Sequence, residues 1–113
     1  MAVIAFSKTP DRGWVVAGWA FKQVLDDVVS EYPKDAGMVA ELADSRELKG
    51  LMVYLLSPDL AARITSEIRV VATGILSGEI RSGIVDQPYG DARAVEQYRD
   101  ALKELLEAVP PKP

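Results

Sequence analysis

The stretch Gly13-Trp14-Val15-Val16-Ala17-Gly18-Trp19-Ala20-Phe21 decides the fold, because it carries no charge and holds both tryptophans of the chain. Taken as helix at 100° per residue, it sends the two rings to different faces. Trp14 then opens a stripe continued by Phe21, Leu25, Val28 and Tyr32, all within roughly 40° of one line. Lys22, Gln23, Asp26, Asp27, Ser30 and Glu31 occupy the opposite sector, as a solvated face should. Val15, Val16, Trp19 and Ala20 fall in that same sector one or two turns earlier. Such a helix is amphipathic at its end and apolar all round at its start, and an all-round apolar helix must be covered all round. Either the chain's own residues, Ala2 to Phe6 or the next helix, lie over Trp19, or another molecule does.

Start and stop signals extend this reading along the chain. Thr9-Pro10-Asp11 and Ser57-Pro58-Asp59 each place a hydroxyl at an N-cap, proline at the first helical position and an acid in the first turn. Asp91, after Pro88-Tyr89-Gly90, is a third cap. Pro33, Gly83 and Pro110-Pro111 supply stops. The expected elements are helices at about 10–32, 36–56, 58–82 and 91–109. The third carries Leu60, Ile64, Ile68, Val71 and Ile75 on one face, and the fourth Val95, Tyr98, Leu102, Leu105 and Val109.

The second is the least regular. Met38 and Leu42 share one line while Leu48, Met52 and Leu55 share another, with Gly50 near the shift. The run Leu51 to Leu56 also reads as a buried strand, for which Val3-Ile4-Ala5-Phe6 offers a partner. The fold class that follows is all-α. It is a compact bundle of four main helices joined by short loops, with residues 1–109 as one helical domain and 110–113 as an extended proline-rich tail.

Composition excludes much chemistry. The 113 residues contain no cysteine, hence no disulfide, thiolate nucleophile or Cys-based zinc site. They contain no histidine either, which removes the usual base near neutral pH and the commonest metal ligand. Ser77 stands in Gly74-Ile75-Leu76-Ser77-Gly78, which is not a nucleophile elbow, and no phosphate-cradling or dinucleotide motif occurs. No cofactor or metal is therefore expected, and no enzymatic activity. A net charge of −4 disfavours direct nucleic-acid binding and favours a basic protein partner. The N-terminus lacks a signal-peptide pattern and no apolar run approaches the ~18 residues of a membrane span, so a cytoplasmic location off the membrane is expected.

Within those bounds the expected function is a non-catalytic protein-binding module, an inhibitor, immunity-type or adaptor protein. Its apolar patch would centre on Trp19 with Val15 and Val16, tryptophan being favoured at interface hot spots. Gly74 and Gly78, one turn apart on a small-residue ridge, would support close approach of a partner, and Asp26 and Asp27 would supply acidic surroundings. The partner is another protein or a second copy. The alternative is a small-molecule sensor or carrier with an apolar interhelical pocket lined by Trp14, Phe21, Met52 and Tyr54.

Overall fold

Trp14 lies in a β-strand, and this overturns the all-α expectation. The computed structural model describes residues 1–8 and 13–110; the Thr9-Pro10-Asp11 cap and residues 111–113 of the tail lie outside them. Strands β1 (Ala2–Ala5), β2 (Gly13–Val16) and β3 (Gly50–Met52) form a sheet of order β2-β1-β3. Among the described residues four α-helices accompany it: α1 (Gly18–Glu31), α2 (Ala36–Leu48), α3 (Pro58–Ser77) and α4 (Ala92–Ala108). The architecture is mixed α/β.

The strand wins at residues 13–16 because Trp14, Val15 and Val16 are aromatic and β-branched, types that suit a pleated surface, and a partner strand stands ready. β1 pairs with β2 antiparallel, setting Ile4 opposite Trp14 and Val3 opposite Val15. The helix starts only at Gly18, after an Ala17 N-cap that offers no side-chain hydrogen bond. Two periods therefore meet inside one apolar run. Of the first helix expected from sequence, at 10–32, the described part from residue 13 is a strand, a corner and a helix.

The second predicted helix divides at the point where its apolar line shifted. α2 is capped at its start by the Asp35 carboxylate, which accepts from Met38 N–H at 3.2 Å. It ends at Lys49, whose φ of 57° is left-handed, the one non-glycine residue so placed among those described. Residues 50–52 then pair in parallel with β1, Leu51 beside Ile4, so the strand alternative holds there. A 3-10 turn, Val53–Leu55, leads to α3. There Ser57 caps as its motif predicts, accepting from Leu60 N–H at 3.3 Å, with Pro58 in the first turn. α3 stops at Ser77, short of the expected 82, because Gly78 turns left-handed at φ 85°. Asp91 caps α4 through Ala94 N–H at 2.9 Å.

The sheet presents Ala2, Ile4, Trp14 and Leu51 to the helices, and all four are buried. They join Phe21, Val24, Leu25 and Val28 of α1, Met38 and Leu42 of α2, Ile64 and Ile68 of α3, and Tyr98, Leu102 and Leu105 of α4 in one core. Trp14 is anchored as well as buried: its indole N–H donates to the Ala101 carbonyl of α4 at 3.0 Å. By register, Val3, Ala5, Val15 and Met52 share the other face of the sheet, where Val15 is 58% exposed. Among the described residues no helix is long and apolar enough to cross a membrane.

Candidate functional site

Trp19 stands in the opening turn of α1, partly buried, and its ring meets two tyrosines. Tyr89 approaches edge-on with centroids 6.0 Å apart, and Tyr98 lies 6.4 Å away at a tilt of 43°. Edge-to-face contact at this range is attractive because the positive ring edge meets the negative face. Tyr98 is fully buried, whereas Tyr89 is 48% exposed. The aromatic group thus runs from core to surface.

The turn that holds Tyr89 is fixed by Gly90. A Cβ on Gly90 would collide with the Ile84 carbonyl, so only glycine lets the backbone pass so close. Gly90 N–H donates to the Gln87 carbonyl, and Asp91 N–H to that of Tyr89, both at 2.9 Å.

Beneath the aromatics a buried carboxylate ties the region together. Asp27 Oδ2 accepts from the Ser82 hydroxyl at 2.6 Å and from the Tyr98 hydroxyl at 2.7 Å. Asp27 Oδ1 accepts from Gln23 Nε2 and from Gly83 N–H, each at 2.9 Å. Four donors on two oxygens satisfy an acceptor-only group in a site that is 4% exposed. Burial first, then the Asp27 charge and hydrogen bond, push the Tyr98 phenol far above its ordinary range. The arrangement joins α1, the 82–86 segment and α4, and so sets the position of the Tyr89 turn.

Two hollows flank the aromatic pair. One, of about 340 Å³, is lined by Trp19, Tyr89, Asp91, Arg93, Ala94 and Gln97. The other, of about 350 Å³, also uses Trp19 and Tyr89 and adds Lys22, Asp26, Arg46 and Lys49 at its rim. Asp26 pairs there with Arg46 at 3.0 Å. Trp19 and Tyr89 form the ridge between the hollows.

The residues singled out from sequence are dispersed. Trp19 and Asp26 meet at the cleft, whereas Val15 and Val16 belong to β2, and neither lines these hollows. Asp27 is interior, not part of an acidic rim, and Gln23 is buried with it. Gly74 faces Ile80, which would clash with any Cβ added there, and Gly78 is the left-handed end of α3. Their spacing therefore reflects chain packing and helix termination. Trp14 and Phe21, proposed for a pocket, are packed in the core, while Tyr54 is 38% exposed.

Tyr89 and the Asp27 cluster were missed. One signal pointed to the latter: a tyrosine in the apolar stripe of the fourth helix buries a hydroxyl that needs an acceptor. Among the described residues no group of three or more acidic side chains is placed to hold a metal ion. Comparison with protein-family models, curated proteins and solved structures gives no match.

Proposed function

We propose that this chain is a non-catalytic binding module, acting in the cytoplasm, which holds another protein at the cleft divided by Trp19 and Tyr89. The observation that carries the reading is the placement of these two rings. A half-exposed tyrosine is fixed by a glycine-dependent turn against a partly buried tryptophan, with a hollow on either side. Rigid aromatic groups of this kind give large contact area for little loss of side-chain freedom. The absence of histidine and cysteine from the whole chain, with the cleft's buried acid, Asp27, hydrogen-bonded at both oxygens, supports a role in binding over catalysis.

The test is capture from lysate of the native host by the wild-type chain and by a Trp19→Ala, Tyr89→Ala double variant, both shown folded by circular dichroism. A protein retained by the first and lost by the second is the expected result. Identical captured sets would remove the cleft from consideration.

Self-association is a second reading, favoured by the exposure of Val15 on a sheet face that also carries Val3, Ala5 and Met52. Sedimentation velocity over a hundredfold range of concentration addresses it, and a single monomeric boundary throughout would dismiss it. The hollows also lie within the size range of small-ligand sites. A rise in melting midpoint with a small compound, abolished by Trp19→Ala, would favour that role.

A further inference from the structure

The whole chain is acidic, yet the cleft is not. Its lining includes four cations, Lys22, Arg46, Lys49 and Arg93, against two acids, Asp26 and Asp91. Arg46 is already neutralised by Asp26 at 3.0 Å and lies 3.8 Å from Glu47. The side chains of the other three make no ion pair or hydrogen bond. Among the described residues, the Lys and Arg side chains in that state are Lys8, Lys22, Lys34, Lys49 and Arg93. Three of these five therefore converge on one cleft of a molecule whose net charge is −4. Among the described residues the arginines outside the cleft are paired within the chain, as in Arg63 with Asp35 at 2.7 Å and Arg81 with Asp86 at 2.7 Å.

The division of the cleft adds direction. Lys22 and Lys49 lie in the hollow on one side of the aromatic ridge, and Arg93 lies with Ala94 in the hollow on the other. Resting on the protein-binding reading above, we infer that the cleft takes an extended acidic segment of a partner protein. Its carboxylates meet Lys22 and Lys49, and a neighbouring apolar side chain seats against Tyr89 and Ala94. The local field thus reverses the preference for a basic partner that the net charge suggested, since close charges outweigh distant ones screened beyond about 10 Å. A nucleic-acid strand also combines anions with rings that stack on aromatics. It would bring its continuous phosphate charge against Asp26 and Asp91, and so it is the less favoured occupant.

The probe is a displayed library of random twelve-residue peptides, selected on the full-length wild-type chain and counter-selected on the Trp19→Ala, Tyr89→Ala variant. The expected winners are rich in Asp and Glu beside an aromatic or aliphatic residue. Their affinity should fall at least tenfold with Lys22→Glu, Lys49→Glu, and weaken as salt rises from 50 to about 500 mM. Cleft-dependent winners that are basic or uncharged, or indifferent to the charge reversal, would overturn the acidic assignment while leaving the protein-binding reading intact. Winners that bind wild type and double variant equally, or no winners at all, would overturn both. A twelve-residue single-stranded oligothymidylate is run alongside, and tighter binding of it than of any peptide would replace the protein partner with nucleic acid.

Discussion

Trp14 and Trp19 stand close together in the chain and in opposite surroundings. Trp14 projects from the middle of an edge strand into the core, 2% exposed, with its N–H satisfied by the Ala101 carbonyl. Trp19 projects from an uncapped helix start, meets two tyrosines, and borders two hollows. Between them the backbone changes from period 2 to period 3.6, and that change lets neighbouring aromatic residues serve separate ends. One ring locks the sheet to α4. The other is held where it can be reached.

This contrast is open to direct attack. The largest effect is expected from Trp14→Ala, which removes a buried indole and its hydrogen bond and should lower unfolding free energy by about 3–5 kcal/mol in urea titration. A loss below about 1.5 kcal/mol would mean that the strand does not anchor the core. Asp27→Ala comes next, at about 3 kcal/mol, because it strands the Ser82 and Tyr98 hydroxyls, the Gln23 amide and the Gly83 N–H together. It should also loosen the Tyr89 turn, read as faster amide exchange at residues 83–90; unaltered exchange there would separate the cluster from the cleft. Trp19→Ala should lower stability by only about 1–2 kcal/mol, since its ring is partly exposed already. Acrylamide quenching of Trp14→Phe and Trp19→Phe should show that the accessible emission belongs to Trp19.

Alkali probes the interior. Tyr32 is pushed up to about 12, by hydrogen bonding to the Glu67 carboxylate first, then by burial, then by the charges of Glu67 and Glu31. Tyr98 moves the same way. A phenol whose folded value lies above its unfolded value of about 10 favours the fold while it stays neutral. Stability from these two groups is therefore fully present below about pH 10 and declines as pH rises through 10 toward 12. The melting midpoint should follow, and Tyr98→Phe should flatten the decline; equal slopes would show that Tyr98 is not involved. The smallest effect is expected from Lys49→Gly, which relieves a left-handed residue whose side chain makes no ion pair or hydrogen bond, and should stabilise by about 0.5–1 kcal/mol in urea titration.

The legible parts of the fold were those where one signal operated alone. α4 begins and ends within a residue of its predicted limits because its cap, its stripe and its terminal prolines agree. Ser57-Pro58 likewise marked the start of α3. Gly78 was passed over because the apolar pattern continues beyond it through Ile80 and Ile84, whereas a left-handed glycine ends a helix whatever follows. Residues 13–16 misled for a subtler reason: four residues are too few to distinguish alternation from helical spacing, and the partner that settles it is β1. At the site, Trp19 was singled out as an unusual residue, though on a false premise, since Val15 and Val16 do not lie beside it on a helix. Asp27 was invisible as an interior group. Its i, i+4 companion Gln23 is polar, so the pair looked solvated, and the burying elements, the 82–86 segment and α4, come from far along the chain.

The middle position of β1 in the sheet has a consequence for synthesis. Residues 2–5 and 13–16 are translated within moments of each other and can close as a hairpin at once. Their distant neighbours include β3, some 45 residues behind β1, and the Ala101 carbonyl, 87 residues after Trp14. At roughly 5–20 residues per second the nascent hairpin waits about 4–20 s with its indole bare. During that interval it is a small sticky ribbon with both edges open, the form in which a strand edge is most prone to pair with another chain.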